Sequence, residues 1–235
     1  MTRETLARAV HQKIVHETGL IAHGRGEAFD YLLGETTIPQ ADEAAKVAAA
    51  ALLDAVNPVI SVNGNVAALA AKECVTLADR VPAKLEVNLF HRTQARVNRI
   101  AVLLRKSGAA RVFGVKPTAR IPNLTHDRAW CDRRGIFSAD VVLVPLEDGD
   151  RCEALRGMGK TVIAIDLNPL SRTARAASIT VVDNVTRAIP RIDHWVQVMH
   201  PATKSDLNEL VRSWDNKKNL GAVLAFLSKR LNSLS

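Results

Sequence analysis

Aromatic residues are scarce in this chain: one Tyr, three Trp and five Phe make up 4% of 235 residues. A core must therefore be filled by Val, Ala, Leu and Ile, which a hydrophobic content of 47% supplies. The same scarcity argues against single-stranded nucleic-acid binding, which relies on aromatic stacking platforms. Cysteine is also sparse. Cys74, Cys131 and Cys152 stand far apart with no CxxC pair, which argues against a disulfide framework and for a reducing, cytoplasmic compartment. There is no HExxH and no close pairing of His with Cys, so a structural zinc site is not expected. Long apolar runs are missing too. The Ala-rich stretch 44–56 contains Lys46 and Asp54 and is too short to span a bilayer. The first residues are polar and mixed in charge, without the apolar centre of a signal peptide, and no membrane partner is expected.

Positive charge is abundant. Lys and Arg number 32 against 24 Asp and Glu, a net charge of +8. That excess calls for an anionic partner, and with so few aromatics, phosphorylated small molecules are preferred to nucleic acid. Many of these cations need be no more than a solvated surface.

The stretch 139–173 organises the rest. Two apolar, β-branched runs, Val141–Leu146 and Thr161–Leu167, flank a short helical segment. Such runs read as strands buried on both faces, and two joined through a helix make a right-handed βαβ unit of a parallel sheet. Further strands are expected at Val59–Val62, Lys84–Phe90, Arg111–Val115 and Ser178–Val182. Helices are expected over 2–16, 39–56, 66–80, 93–106 and 185–199, and two amphipathic helices in the tail, 203–232, cover the core or a partner subunit. A weakly periodic loop, 116–138, separates the two halves; a loop that long is often functional. The whole reads as one α/β domain spanning 1–235.

Several of these strands end in polar residues: Asn63 and Asn65, Asn88, Glu147 and Asp148, Asp166 and Asn168, Asp183 and Asn184. One such residue is an ordinary helix cap. Repetition at the carboxyl ends of a parallel sheet points to a shared ligand crevice. GMGKT at 157–161 does not complete a phosphate loop, because Ala154 stands where GxxxxGK[ST] needs Gly and the Lys-Thr pair enters a strand. HGRGEAF does not complete GxGxxG, since Phe29 holds the third glycine position, which disfavours a dinucleotide dehydrogenase. Gly24 and Gly26 flank Arg25 and predict a tight turn that holds it; an ordinary glycine turn with a solvated Arg is the plainer alternative. In DLNPLSRT, Asp166 and Asn168 suit a ribose or base edge, while Ser171, Arg172 and Thr173 open a helix that favours phosphate. Ser171 as a plain cap and Arg172 as a surface charge account for the same residues.

The blocks GLIAHGRGEAFDYLLGE, NPVISVNGNVAAL, KLEVNLFHRT, ADVVLVPLEDGDR, AIDLNPLSRTA and ITVVDNVTRAIPR closely resemble the archaeal phosphopantothenate synthetases, the 4-phosphopantoate–β-alanine ligases of coenzyme A biosynthesis. The resemblance runs over 2–191 and more weakly through the tail. It implies a Rossmann-like three-layer fold with a mostly parallel sheet, a homodimer, and an ATP-dependent ligation that releases AMP and diphosphate. Carried over by matching motifs, the ATP contacts are Arg3, Arg25, Asp166, Leu167, Asn168, Arg172, Thr173, Asp183 and Asn184. We assign Asn63, Gly64, Asn65, Asn88, Arg92, Asp150 and Arg151 to the phosphopantoate and β-alanine side, and Arg25, Glu147 and Asp148 to catalysis. Two departures stand out: the family carries more residues before the position matching Arg3, and Cys152 replaces the Thr of DGDRTEAL, removing a hydroxyl.

The chemistry then follows from charge. A carboxylate lacks a good leaving group, so it is activated as a mixed anhydride with AMP before the amine displaces the nucleotide. Such steps require anions to be positioned and neutralised. Arg25, Arg172 and Mg²⁺ would supply positive charge, and Glu147, Asp148 and Asp150 would hold either Mg²⁺ or the β-alanine ammonium. The alternatives are a nucleotide-binding regulatory module without catalysis, and a ligase that forms an acyl phosphate and ADP.

Overall fold

The computed structural model describes residues 2–233. The chain runs through α1 (Thr2–His11), α2 (Glu17–Leu33), α3 (Pro39–Asp54), β1 (Val59–Val62), α4 (Gly64–Arg80), β2 (Lys84–Val87), α5 (Gln94–Lys106) and β3 (Val112–Phe113). Two short strands follow, β4 (Ala119–Arg120) and β5 (Trp130–Cys131). Then come β6 (Val141–Pro145), α6 (Gly149–Gly157), β7 (Thr161–Ile165), α7 (Arg172–Ala176), β8 (Ile179–Val181), α8 (Val185–Met199), α9 (Lys204–Arg212) and α10 (Asn216–Asn232).

Six strands form one parallel sheet in the order β3-β2-β1-β6-β7-β8. Each β-branched strand is buried on both faces, and its alternate residues serve different layers. Ile60, Val62, Leu143, Ile163, Ile165, Ile179 and Val181 join the core under α3, α4, α5 and α8. Val59, Val142, Val144, Val162 and Ala164 face the opposite layer. This is the Rossmann-like three-layer arrangement. Small residues set its spacing: Ala44, Ala45, Ala48 and Ala49 are fully buried on α3, which lies against β8, α8 and α9.

The opposite layer is only partly helical. α6 contributes Cys152 and Leu155, Ala176 and Ala177 at the end of α7 add to it, and most of the rest comes from the excursion 116–138, through Ala119, Ile121, Leu124, Ala129, Cys131 and Ile136. The expected long loop is thus a folded cover, an antiparallel β4-β5 pair with two short 3-10 turns, Asp127–Ala129 and Ile136–Ser138. Glu86, fully buried in β2, ties it to the sheet by accepting the Asp132 and Ile136 backbone N–H groups, each at 2.7 Å. The strands expected at Lys84–Phe90 and Arg111–Val115 are shorter than their apolar pattern, ending before Asn88, which bonds to this cover, and before Gly114, whose φ is +78°.

The turn expected at Gly24–Gly26 is absent. Those residues lie inside α2, a continuous helix with His16 as N-cap and Gly34 at its end. The glycines of this region serve close approach instead: a Cβ on Gly19 would stand 2.4 Å from Asn65 Oδ1, and one on Gly64 would stand 2.6 Å from the Ile14 carbonyl. In the tail, α10 buries Leu220, Val223 and Leu227 in the core, while Leu224 and Leu231 of the same stripe are exposed.

Candidate functional site

The strand order reverses between β1 and β6, since β2 and β3 lie on one side and β7 and β8 on the other. At such a switch point the loops leaving the two strands diverge and open a crevice. Asn63 fixes this seam. Its Oδ1 caps α4 by accepting the Val66 N–H at 3.0 Å, and its Nδ2 donates to the Pro145 and Leu146 carbonyls at 3.1 and 3.0 Å. Leu146 follows with φ of +55°, a left-handed backbone that a branched apolar residue adopts only when its surroundings impose it. Asn65 donates to the Gly19 carbonyl at 2.9 Å and joins α4 to α2.

On the β7–β8 side the polar loops shape one another. Asp166 accepts from Asn168 N–H at 2.9 Å and Ser171 Oγ at 2.5 Å, and Asn168 Oδ1 accepts the Leu170 N–H at 2.9 Å. Burial raises the Asp166 carboxyl, opposed by those hydrogen bonds and by the nearby Arg25 guanidinium. Arg25 is therefore close to Asp166 although it stands on a helix, and Gly26 beside it packs on Leu167. Ser171 caps α7 through Ala174 N–H at 2.9 Å, so its plainer reading holds. Arg172 is exposed and paired with Asp150 at 2.5 Å and Glu153 at 3.4 Å. Thr173 is buried and donates to the Glu147 carbonyl at 2.9 Å. Cys152 is also fully buried, its Sγ 3.7 Å from the Thr173 carbonyl, a weaker link between α6 and α7 than a hydroxyl would make.

Asp183 and Asn184 belong to a buried network. Asp183 accepts from Thr37 Oγ1 at 2.6 Å and Arg187 Nε at 2.8 Å. Asn184 Nδ2 donates to Asp30 of α2 at 3.1 Å, and its Oδ1 caps α8. Arg3 is placed by α1, 3.3 Å from Glu27 of α2. Sequence reasoning missed His23, which is buried on α2 near Arg3, Glu27 and Asp30. Burial lowers its pKa and its Nε2 has no hydrogen-bond partner.

On the β1–β2 side the excursion completes the site. Asn88, fully buried, donates to the Arg128 and Trp130 carbonyls at 3.2 and 3.0 Å, while its Oδ1 has no partner. Arg92 donates from Nη2 to the Gly114 carbonyl at 2.8 Å, and its buried Nη1 is unpaired. Arg128, absent from the sequence reading, pairs with Glu147 at 2.5 Å and lies 3.0 Å from Asp148 through Nε. Arg151 is 0% exposed; it bonds the other Glu147 oxygen and Ser61 Oγ. Removing one member of a buried pair of this kind typically costs about 3–5 kcal/mol.

This geometry revises the acidic loop. Both Glu147 oxygens are taken by guanidinium groups, Asp148 is held by Arg128 and caps α6, and Asp150 points to Arg172. Among the described residues no group of three His, Cys, Asp or Glu side chains is arranged to hold a metal ion. Each of the three acids, expected to hold either Mg²⁺ or the β-alanine ammonium, is paired with an arginine in this structure. Glu147 and Arg151 brace the interior through their ion pair, and buried polar atoms of Asn88, Arg92 and Arg151 keep no hydrogen-bond partner. Arg128 was not legible as a site residue because it lies in the aperiodic excursion, and only the fold of that segment brings it to the loop after β6.

The fold and these loops define the class: a Rossmann-like α/β protein whose polar loops gather at the switch point of a parallel sheet, the position where such sheets hold their ligands. Within that class, the chain belongs to the phosphopantothenate/pantothenate synthetase family, whose profile matches residues 40–230. It is 52% identical over 234 residues to a 4-phosphopantoate–β-alanine ligase of Thermococcus onnurineus, covering 99% of this chain and 90% of that one. A ligase of the same name from Methanosarcina mazei is 52% identical over 235 residues, covering 100% and 92%. A third, from Methanospirillum hungatei, is 58% identical over 192 residues, covering 82% and 78%. No described helix is long and apolar enough to cross a membrane.

Proposed function

We propose that this protein is a 4-phosphopantoate–β-alanine ligase of coenzyme A biosynthesis, a cytoplasmic, ATP-dependent homodimer that forms 4′-phosphopantothenate, AMP and diphosphate. Its relatives at 52% identity over nearly the whole chain carry that activity in their names. One structural observation carries the reading: the unpartnered buried atoms Asn88 Oδ1 and Arg92 Nη1 lie on one side of the switch point, and the Asp166–Thr173 loop with Arg25 lies on the other. An anionic acid and a nucleotide would then meet across β1 and β6.

ATP is assigned to Arg3, Arg25, Asp166, Leu167, Asn168, Arg172, Thr173, Asp183 and Asn184. Within that set, Asp166 and Asp183 act as frames that hold the loop backbone, Arg25 is exposed on α2, and Arg172 would exchange its Asp150 and Glu153 partners for phosphate. The phosphopantoate side takes Asn88, Arg92 and Arg128, braced by Asn63, Gly64 and Asn65. A carboxylate oxygen of phosphopantoate attacks the α-phosphorus of ATP, the bond to the β-phosphate breaks, and diphosphate leaves with the electron pair. A Mg²⁺ ion arriving on the ATP phosphates would neutralise part of their charge, with Arg25 and Arg172 supplying the rest from the protein side.

Incubation with ATP, 4-phosphopantoate and β-alanine tests this. Phosphopantothenate and AMP should appear only with all three present. ADP would contradict the adenylate route, and binding of ATP without turnover would leave a nucleotide-binding module.

A further inference from the structure

The ligation needs a step that the residues so far named do not perform. β-Alanine arrives as an ammonium ion at neutral pH, with no lone pair on nitrogen, and a proton must leave before attack. Arginines cannot take it. Glu147 is saturated by two guanidinium groups. Burial acts to raise Asp148, but the Arg128 guanidinium, together with the hydrogen bond from the Arg151 N–H, outweighs it and leaves Asp148 below the ordinary carboxylate range.

His126 stands beside this cluster. The excursion delivers it immediately before the Asp127–Ala129 turn. Its side chain is 19% exposed, its Nε2 is 3.7 Å from Asp148 Oδ1, and neither ring nitrogen has a hydrogen-bond partner although both are buried. Phe90 stacks on the ring with centroids 4.9 Å apart and fixes its plane. The charged groups around it are Asp148 and Arg128, with Glu147 and Arg151 behind them, Asp127 adjacent in the chain, and His91 beyond Phe90. A histidine with both nitrogens uncommitted, next to a fixed carboxylate and at the mouth of the β6 loop, is arranged to accept and hold a proton.

From this geometry we infer that His126 is the proton acceptor for the attacking amine and that Asp148 positions it. The inference rests on the ligase reading above. The ammonium gives one proton to a ring nitrogen, and Asp148 stabilises the imidazolium. The freed lone pair forms the C–N bond at the activated acyl carbon. The C–O bond to AMP breaks, AMP leaves with that electron pair, and the amide nitrogen loses its second surplus proton to solvent.

The test compares two nucleophiles on His126→Gln. β-Alanine must be deprotonated, whereas hydroxylamine is already neutral at pH 7 and needs no base. With β-alanine the variant should lose about 10²–10³ in the rate of amide formation, while hydroxylamine trapping of the activated acid stays within about twofold of wild type. Asp148→Asn, which keeps the helix cap, should show a smaller loss of the same selectivity and covers a failure of the first variant to fold. Equal losses with both nucleophiles, or no loss with β-alanine, would overturn the assignment. The comparison reads the amine step on any activated acid, so the nucleotide product reports separately on the adenylate: ADP would contradict that route and leave the His126 result standing.

Discussion

Arg25 and Arg172 are both exposed cations beside the loop after β7, yet they are held differently. Arg172 is restrained by Asp150 and Glu153, and the Asp150 hydrogen bond raises its pKa. Arg25 projects from a helix near Asp166. An arginine that meets charge only in the transition state contributes about 2–4 kcal/mol, or roughly 10²–10³ in rate. Arg25→Ala should lower kcat by about that factor, and Arg25→Lys should not restore it, because a point charge does not reproduce the guanidinium fork. Arg172→Ala should act on the KM for ATP, its contact being equal before and during reaction. Steady-state kinetics at saturating β-alanine separates the two; an unchanged kcat for Arg25→Ala would make it a solvated helix residue. The polar residues at strand ends were legible individually, because a short apolar run that stops at Asn or Asp marks its own carboxyl end. Their partners were not. Nothing in the spacing of Glu147 announces that Arg128, 19 positions earlier, consumes one of its oxygens.

The excursion 116–138 shows the same limit for a whole element. It has neither helical nor strand periodicity, since its apolar residues follow the shape of the sheet face they cover. α2 failed for another reason: two glycines around an arginine favour a turn locally, but packing on Leu167 and Asn65 overrides that preference. Glu86 anchors the excursion and makes a measurable prediction. Burial raises its pKa from 4.5 to about 7 against the pull of the Ile136 and Asp132 N–H groups. A raised value in the folded state means that the native protein holds the proton more tightly. The associated stability is fully present below about pH 4.5 and is lost as pH rises to about 7. Glu86→Gln removes this titration. In urea unfolding, the stability difference between wild type and variant should change by about 3 kcal/mol between those limits. A constant difference would mean that Glu86 titrates alike in both states.

At the scale of the molecule, the order of strands and helices followed from the alternation of β-branched runs with helical patterns, which leaves few topologies open. The tail helices were legible from their stripes, but which leucines face the core was not. α10 turns Leu224 and Leu231 outward, and Ile21 and Tyr31 are exposed on α2, which it contacts. This apolar surface suits the proposed dimer. Light scattering at micromolar concentration should report about twice 25.5 kDa, and the monomer mass would refute it. The central claim is that the acid is activated on the α-phosphate, across the seam between β1 and β6. The most direct measurement uses 4-phosphopantoate labelled with ¹⁸O in its carboxylate, with ATP and β-alanine, and mass spectrometry of the products. One heavy oxygen should pass into AMP, leaving diphosphate unlabelled. Label in inorganic phosphate, with ADP formed and AMP unlabelled, would contradict it.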